Sequence, residues 1–193
     1  MGFITHEDLH SYRVLGGKCQ GHVDMKWCPG VDFSAGSLGM GLSFGLGCAM
    51  AARLDNSERR AFVMLGDGEI QEGSVWEAAM AAAHHELGNL KVILDRNRIQ
   101  NDDFCEEQMR MFDIPAKWKA FGWNVMEIDG HSMESIVEGL EFLAQSNDGP
   151  SILIAQTVKG KGISYMEDNP SFHGAAPNDE QYAQAMKELG VSA

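Results

Sequence analysis

The stretch that decides the fold is AFVMLGDGEIQEG, which occupies residues 61–73. It opens with an apolar run that ends at a glycine, and this pattern predicts a buried parallel strand over residues 60–65. Gly66 and Gly68 let the backbone turn sharply and approach a ligand closely. Asp67 lies between them, just past the carboxyl end of the predicted strand. Open α/β sheets bind their ligands at such ends, so we predict a ligand site at this turn.

A second strand end carries an asparagine, thirty residues after Asp67. Residues 74–87 are predicted to form a helix and residues 91–95 the next strand, so Asn97 also lies just past a carboxyl end. If the two strands are neighbours, the Asp67 carboxylate, the Asn97 amide oxygen and a backbone carbonyl converge. Hard oxygen ligands of this kind suit Mg²⁺ or Ca²⁺ that carries the phosphates of a ligand. The structural alternative is a tight turn, with Asn97 capping a loop.

The phrase GDGEIQEGSVWEAAMAAAHHELGNL, followed by the spaced Asn97, resembles the signature of thiamine diphosphate enzymes. Within that class it is similar to transketolase, and specifically to the N-terminal, diphosphate-binding subunit of transketolases that are split into two chains. The resemblance extends from about Gly16 to Leu189. It implies an α/β fold, with a parallel sheet and helices on both faces, that binds thiamine diphosphate and a metal ion.

Composition sets the broad class of the protein. The chain has 193 residues, which we interpret as a single domain over residues 1–193. Its net charge of −13 argues against binding to nucleic acid or to an anionic membrane surface. No signal peptide and no apolar run of membrane-spanning length is visible. The cysteines lack metal-binding spacing, so we expect free thiols in a reducing cytoplasm; they are Cys19, Cys28, Cys48 and Cys105.

The segment 34–54 is rich in glycine, and its small residues recur four apart from Gly41 to Ala49. This spacing predicts a helix with a smooth face that packs closely against the sheet or another helix. We predict a buried helix whose N-terminus faces a ligand, because the free amides and the helix dipole there attract anions. The resemblance implies that Gly36 and Leu38 contact the cofactor rings, and packing alone is the alternative.

The remaining chain alternates helices with strands, as expected for a parallel α/β sheet. Leu140 is expected to face the core from one of these helices. The predicted elements are helices starting at Asp113 and covering 132–146 and 179–189, with strands over 123–128 and 151–158.

Further site residues follow only from the resemblance to transketolase. The implied metal ligands are the side chains of Asp67 and Asn97 and the backbone carbonyl of Ile99. The implied catalytic residues are His22 and His173, because a histidine pKa near working pH suits proton transfer. The cofactor supplies the main chemistry, since its thiazolium carbon attacks a ketose and holds a two-carbon fragment for an aldose. The implied cofactor-binding residues are Gly36, Leu38, Gly66, Asp67, Gly68, Glu69, Glu72, Asn97, Ile99 and His173.

Two departures from the family bear on activity. The pyrimidine-binding domain is absent, which implies a separate C-terminal transketolase subunit, sugar phosphate substrates, and a homodimer or heterotetramer. The family's usual first seventy to eighty residues, with Ser-Gly-His-Pro and Lys-Gly-His segments, are also lacking, so we interpret the domain as N-terminally truncated. We therefore expect the isolated chain to be inactive. Glu72 is expected to face the partner, and apolar surface around Leu38, Trp76 and Met80 to be exposed.

Three other interpretations stay open. The chain could be a non-catalytic remnant that only assembles with a partner. It could be another thiamine diphosphate enzyme, such as deoxyxylulose-phosphate synthase, although the phrase at 71–76 is not typical of that enzyme. A nucleotide-binding domain is suggested by Gly39-x-Gly41 and Gly45-x-Gly47, but these pairs precede a strand rather than follow one.

Overall fold

The computed structural model describes residues 2–191, so residues 1, 192 and 193 of the predicted domain lie outside the described residues. Its centre is a sheet of four parallel strands in the order β1-β2-β4-β3. The predicted parallel sheet is therefore confirmed, and β1 and β2 are neighbours, as the convergence of Asp67 and Asn97 requires. The strands are β1 (Ala61–Gly66), β2 (Leu90–Arg96), β3 (Asn124–Asp129) and β4 (Ser151–Gln156).

Several of the described helices begin directly after residues whose side chains cap them. The side chains of Thr5, Asp113 and Asn178 each accept a hydrogen bond from a backbone amide of the helix that follows. None of the helices between residues 2 and 191 has the length and hydrophobicity of a transmembrane span. The helices are α1 (His6–His10), α2 (Met40–Leu54), α3 (Gly73–His84), α4 (Cys105–Gln108), α5 (Ile114–Ala120), α6 (Met133–Gln145) and α7 (Asp179–Glu188), with short 3-10 turns at Glu69–Gln71 and Pro170–Phe172.

Helices cover both faces of the sheet, which confirms the predicted layering. On one face α2, α3 and α5 enclose the main core, where Trp118 is fully buried and lies 4.8 Å from Trp123 between ring centroids. On the other face α6 packs on β3 and β4, with Leu143 and Leu153 in one buried cluster. Members of the main core include Leu42, Val63, Leu65, Val75, Val92, Leu94, Ile152 and Ile154.

The glycine-rich helix α2 is half-buried, so the prediction of a buried helix is wrong for its outer face. Its inner face packs on β1 and α3 through Leu42, Gly45 and Ala49. A side chain at Gly45 would overlap with one Val63 methyl group, Cγ2, which explains the close approach that the spacing predicted. The opposite side of α2 exposes large apolar residues, among them Phe44 and Leu54.

The strand β1 lies at the edge of the sheet and is covered on only one side. Val63 and Leu65 are buried under α2 and α3, whereas Phe62 and Met64 are 54% and 69% exposed on the other side. On that side, α6 contacts β3 and β4 instead. An apolar strand in a parallel sheet is normally buried on both faces, so this end of the sheet presents an open apolar surface.

Two further expectations about side chains are wrong. Trp76 is not exposed, because its ring packs against the rings of Trp118 and Phe121, each at 5.2 Å between centroids. Leu140 is 41% exposed, since the inward stripe of α6 runs through Gly139 and Leu143. Leu38 and Met80 are exposed, as expected. Helical periodicity predicts which residues share a face of a helix, but it does not specify which other element packs on that face. Both errors have this cause.

Candidate functional site

The turn after β1 holds a buried carboxylate. Asp67 is only 3% exposed, and its Oδ1 accepts hydrogen bonds from the Gly68 amide at 3.0 Å and the Cys105 thiol at 3.5 Å. Its Oδ2 accepts from the Arg98 amide at 2.7 Å. Burial raises the pKa of Asp67 above its usual range, although these hydrogen bonds oppose the rise. No basic side chain within residues 2–191 forms an ion pair with Asp67, so the site favours a cation.

Asn97 lies beside this carboxylate at the end of the neighbouring strand. The strand register pairs Gly66 with Asp95, and the Arg98 amide that follows Asn97 reaches Asp67 directly. The Asn97 side chain is 7% exposed. Its Oδ1 accepts from the Ile99 amide at 3.0 Å, and its Nδ2 donates to Asp95 Oδ2 at 2.9 Å. The two predicted side-chain ligands are thus brought together.

The loop after Asn97 folds back over the Gly-Asp-Gly turn. Ile99 is buried and forms an isolated antiparallel bridge with Phe104. A side chain at Gly68 would lie 2.8 Å from Gln100 Cβ, so only glycine fits this approach. Cys105 begins α4 beneath the turn, where burial and then the Asp67 charge raise the pKa of its thiol to about 12. The thiol therefore acts as a neutral donor to Asp67.

The Glu69 carboxylate accepts hydrogen bonds from two backbone amides. Its Oε1 accepts from the Gly39 amide at 2.9 Å, and its Oε2 accepts from the Gly66 amide at 3.0 Å. Gly39 is the residue before α2 and has a φ of +78°, and a side chain there would lie 2.6 Å from Ser74 Oγ. Glu69 therefore ties the loop before α2 to the end of β1 and occupies an amide that was predicted to face a ligand. The contact of Glu69 with a diphosphate stays a prediction.

Four of the predicted site residues lie in or beside the segment before α2. Gly36 packs against His22, since a side chain at Gly36 would lie 2.8 Å from the His22 Cγ atom. Leu38 is exposed two residues further on, and Glu72 is exposed at the start of α3, with its Cβ close to Gly39. This segment thus lies against the beginning of α3, next to the turn that carries Asp67.

A cleft lies between the loop after Asn97 and the segment that contains His173, although His173 itself is not among its lining residues. The cleft has a volume of about 560 Å³ and separates residues 101–104 from residues 170–175. Partial burial and then the Lys159 charge lower the pKa of His173 below its usual value. A larger cavity of about 910 Å³ lies near the amino ends of the strands, around Arg60 and Asn147, and contains none of the predicted site residues.

Comparison with known proteins decides the family. A family model described as the thiamine diphosphate binding domain of transketolase matches residues 1–193. The chain belongs to this transketolase family. The predicted family resemblance is thereby confirmed, and the parallel α/β architecture agrees with it.

Several relatives of this transketolase domain are proteins split into subunits. The chain is 42% identical over 188 residues to a subunit of the apulose-4-phosphate transketolase of Phocaeicola vulgatus, covering 97% of this chain and 66% of that protein. It is 35% identical to the 6-deoxy-6-sulfo-D-fructose transketolase subunit SqwG of a Clostridium species, covering 97% of this chain and 68% of the relative. It is also 35% identical to human transketolase, covering 97% of this chain and 30% of that protein. The chain therefore spans about two thirds of the split relatives.

Solved transketolase structures share the fold of this chain. The Campylobacter jejuni transketolase superposes with a TM-score of 0.90 and 30% identity, over 96% of this chain and 30% of that one. A Pichia stipitis transketolase in complex with sedoheptulose-7-phosphate superposes with a TM-score of 0.91 and 29% identity, over 98% of this chain and 29% of that one.

The donor set of this transketolase domain fits a hard cation held with a diphosphate. No group of three His, Cys, Asp or Glu side chains within residues 2–191 is arranged to hold a metal. The oxygens of Asp67, Asn97 and the Ile99 carbonyl would leave the remaining coordination positions to phosphate oxygens and water. The buried, uncompensated Asp67 carboxylate supports this arrangement.

Sequence reasoning missed three side chains that contact the predicted ligands or their neighbours. They are Asp95, Thr157 and Cys105, which contact Asn97, Asp95 and Asp67 respectively. Asp95 had a usable signal, because it ends the predicted strand two residues before Asn97. Thr157 and Cys105 had none, since each is far from its partner in sequence.

Proposed function

We propose that this chain is the diphosphate-binding subunit of a transketolase, which binds thiamine diphosphate and Mg²⁺ for two-carbon ketol transfer between sugar phosphates. A single observation carries the proposal: a buried Asp67 carboxylate lies beside the Asn97 amide with no counter-cation among the described residues. The family match supports the cofactor, and the hard oxygen ligands favour Mg²⁺ or Ca²⁺.

The chain's own residues would hold the cofactor rather than perform the carbon chemistry. Asp67, Asn97 and the Ile99 carbonyl would bind the metal, and the backbone of Gly66 and Gly68 would lie along the diphosphate. Gly36 and Leu38 would contact the rings, and Glu69 would keep their loop against the metal turn. The bound cofactor supplies an electron sink for the two-carbon fragment.

The histidines would move protons at the sugar. The lowered pKa of His173 keeps more of its imidazole neutral near pH 7, which suits a proton acceptor. His22 would act from the segment before α2, where it lies beside Gly36. We assign both histidines as catalytic residues because the resemblance to transketolase implies that role for them.

A second polypeptide is part of the proposal. Relatives at 42% and 39% identity are named as subunits of apulose-4-phosphate transketolases, and those names support a separate pyrimidine-binding subunit for this chain too. The exposed Glu72, Leu38 and Met80 provide a mixed acidic and apolar surface for that partner. A homodimer or heterotetramer of such pairs is the expected assembly. The free cysteines support a reducing, cytoplasmic setting.

A coupled assay tests this function. The purified chain is mixed with thiamine diphosphate, Mg²⁺, a ketose phosphate donor and an aldose phosphate acceptor, with and without a pyrimidine-binding transketolase subunit. Transfer only in the presence of that subunit supports the proposal. Transfer by the chain alone contradicts the split arrangement. Absence of transfer in both, despite stable association with the subunit, favours a non-catalytic assembly role instead.

A further inference from the structure

Asp95 connects two strand ends through its side chain. It lies near the carboxyl end of β2, and its Oδ2 accepts from Asn97 Nδ2 at 2.9 Å. Its Oδ1 accepts from the hydroxyl of Thr157, which is one residue beyond β4. Within residues 2–191 Asp95 forms no ion pair with a basic side chain. The carboxylate is therefore used to hold two neutral side chains.

These contacts fix the orientation of the Asn97 side-chain amide. The Asp95 carboxylate can only accept hydrogen bonds, so the amide nitrogen of Asn97 must face it. The Ile99 amide can only donate, so the Asn97 oxygen must face that side. A reversed side chain would set oxygen against carboxylate and nitrogen against an N–H group. Oδ1 accepts one hydrogen bond in this arrangement and keeps a second lone pair for a cation.

Thr157 is itself held in one orientation. Its backbone amide donates to the Arg96 carbonyl at 3.3 Å, which continues the pairing of β2 and β4 by one residue. Its methyl group lies against Gly130, where an added Cβ would be 2.5 Å from Thr157 Cγ2. With the methyl group packed there, the hydroxyl is directed to Asp95. The arrangement therefore spans the ends of β2 and β4 and the turn after β3.

We propose that Asp95 and Thr157 are positioning residues that keep the Asn97 oxygen directed to the cation site. The inference rests on the proposed function, because it takes Asn97 as a ligand of the metal. Without the Asp95 acceptor the amide can rotate and present its NH₂ group, which repels a cation. Without the Thr157 hydroxyl the Asp95 carboxylate loses one of its two fixed partners. Side chains that orient a metal ligand typically contribute about 10- to 100-fold in metal affinity.

The experiment measures binding of Mg²⁺ with inorganic pyrophosphate to the whole chain by titration calorimetry, so no turnover is needed. Thr157→Val keeps the shape of the side chain and removes the hydroxyl, and we expect the Kd for Mg²⁺ to rise about tenfold. Thr157→Ser keeps the hydroxyl and should restore an affinity close to that of the native chain. Asp95→Asn removes the acceptor-only group and should weaken binding at least as much as Thr157→Val. Thermal unfolding checks that each variant is folded.

The outcomes separate this inference from the function on which it rests. Native affinity in both Thr157→Val and Asp95→Asn, with lost affinity in Asp67→Ala, overturns the positioning role and leaves the metal site standing. Native affinity in Asp67→Ala as well means that the metal site itself is misassigned. If Thr157→Val does not fold, the comparison of Asp95→Asn with the native chain decides the question alone. Equal losses in Thr157→Ser and Thr157→Val also count against the hydroxyl.

Discussion

Replacing Glu69 by alanine should destabilise the protein, because the Glu69 carboxylate holds the loop before α2 against the end of β1. Its carboxylate accepts from the Gly39 amide at 2.9 Å and from the Gly66 amide at 3.0 Å, and both bonds involve a charged acceptor. Such bonds each contribute about 1.5–3 kcal/mol, and the partial exposure of Glu69 favours the lower end. We therefore expect Glu69→Ala to lower the free energy of unfolding by about 3 kcal/mol.

Urea unfolding at pH 7 measures this loss. With a slope of about 2 kcal/mol per molar urea, the midpoint should fall by about 1.5 M. Glu69→Gln retains one carbonyl oxygen and should lose roughly half as much, because its amide nitrogen faces a second donor. Glu77→Ala, at an exposed position of α3, is the matched control and should change the midpoint little. An unchanged midpoint in Glu69→Ala would refute the stabilising role that we derive from these two hydrogen bonds.

Two other predictions concern groups outside the site. Burial lowers the pKa of Lys91 to about 8, below the ordinary value near 10.5 that the unfolded chain keeps, so unfolding takes up a proton between these values. The difference in free energy of unfolding between the native chain and Lys91→Met should therefore rise by about 1.4 kcal/mol per pH unit from pH 8 to 10. Parallel plots of this free energy against pH for the two proteins would contradict the prediction. Gly45→Ala should destabilise by about 1–3 kcal/mol through overlap with Val63, whereas Gly47→Ala, with open space, should stabilise by up to about 1 kcal/mol. Thermal unfolding of the two glycine variants should therefore give shifts of opposite sign.

Features encoded by local sequence were predictable. The four strands and the capped helix starts follow from short patterns, and the observed strand ends differ from the predicted ones by at most two residues. The neighbouring positions of Asp67 and Asn97 followed from one assumption, that consecutive strands pair. The sheet order made that assumption correct for β1 and β2 but placed β4 between β2 and β3, which no local pattern shows.

Features that depend on distant partners were not predictable in the same way. Trp76 has the spacing of a core-edge residue, and only the position of α5 shows that it packs against Trp118. The Glu69 side chain could face a ligand or the backbone, and its direction depends on Gly39, thirty residues earlier. The contact between Asp95 and Thr157 joins residues 62 positions apart, through the insertion of β4 beside β2.

The central claim is that Asp67 binds the metal that holds a diphosphate cofactor, and calorimetric titration of the chain with thiamine diphosphate and Mg²⁺ tests it most directly. Asp55→Ala, at an exposed residue of a surface ion pair, is the control and should bind like the native chain. Asp67→Ala should remain folded and show no measurable heat of cofactor binding, because the buried carboxylate is the charged ligand of the site. Native affinity for thiamine diphosphate in Asp67→Ala would contradict the account.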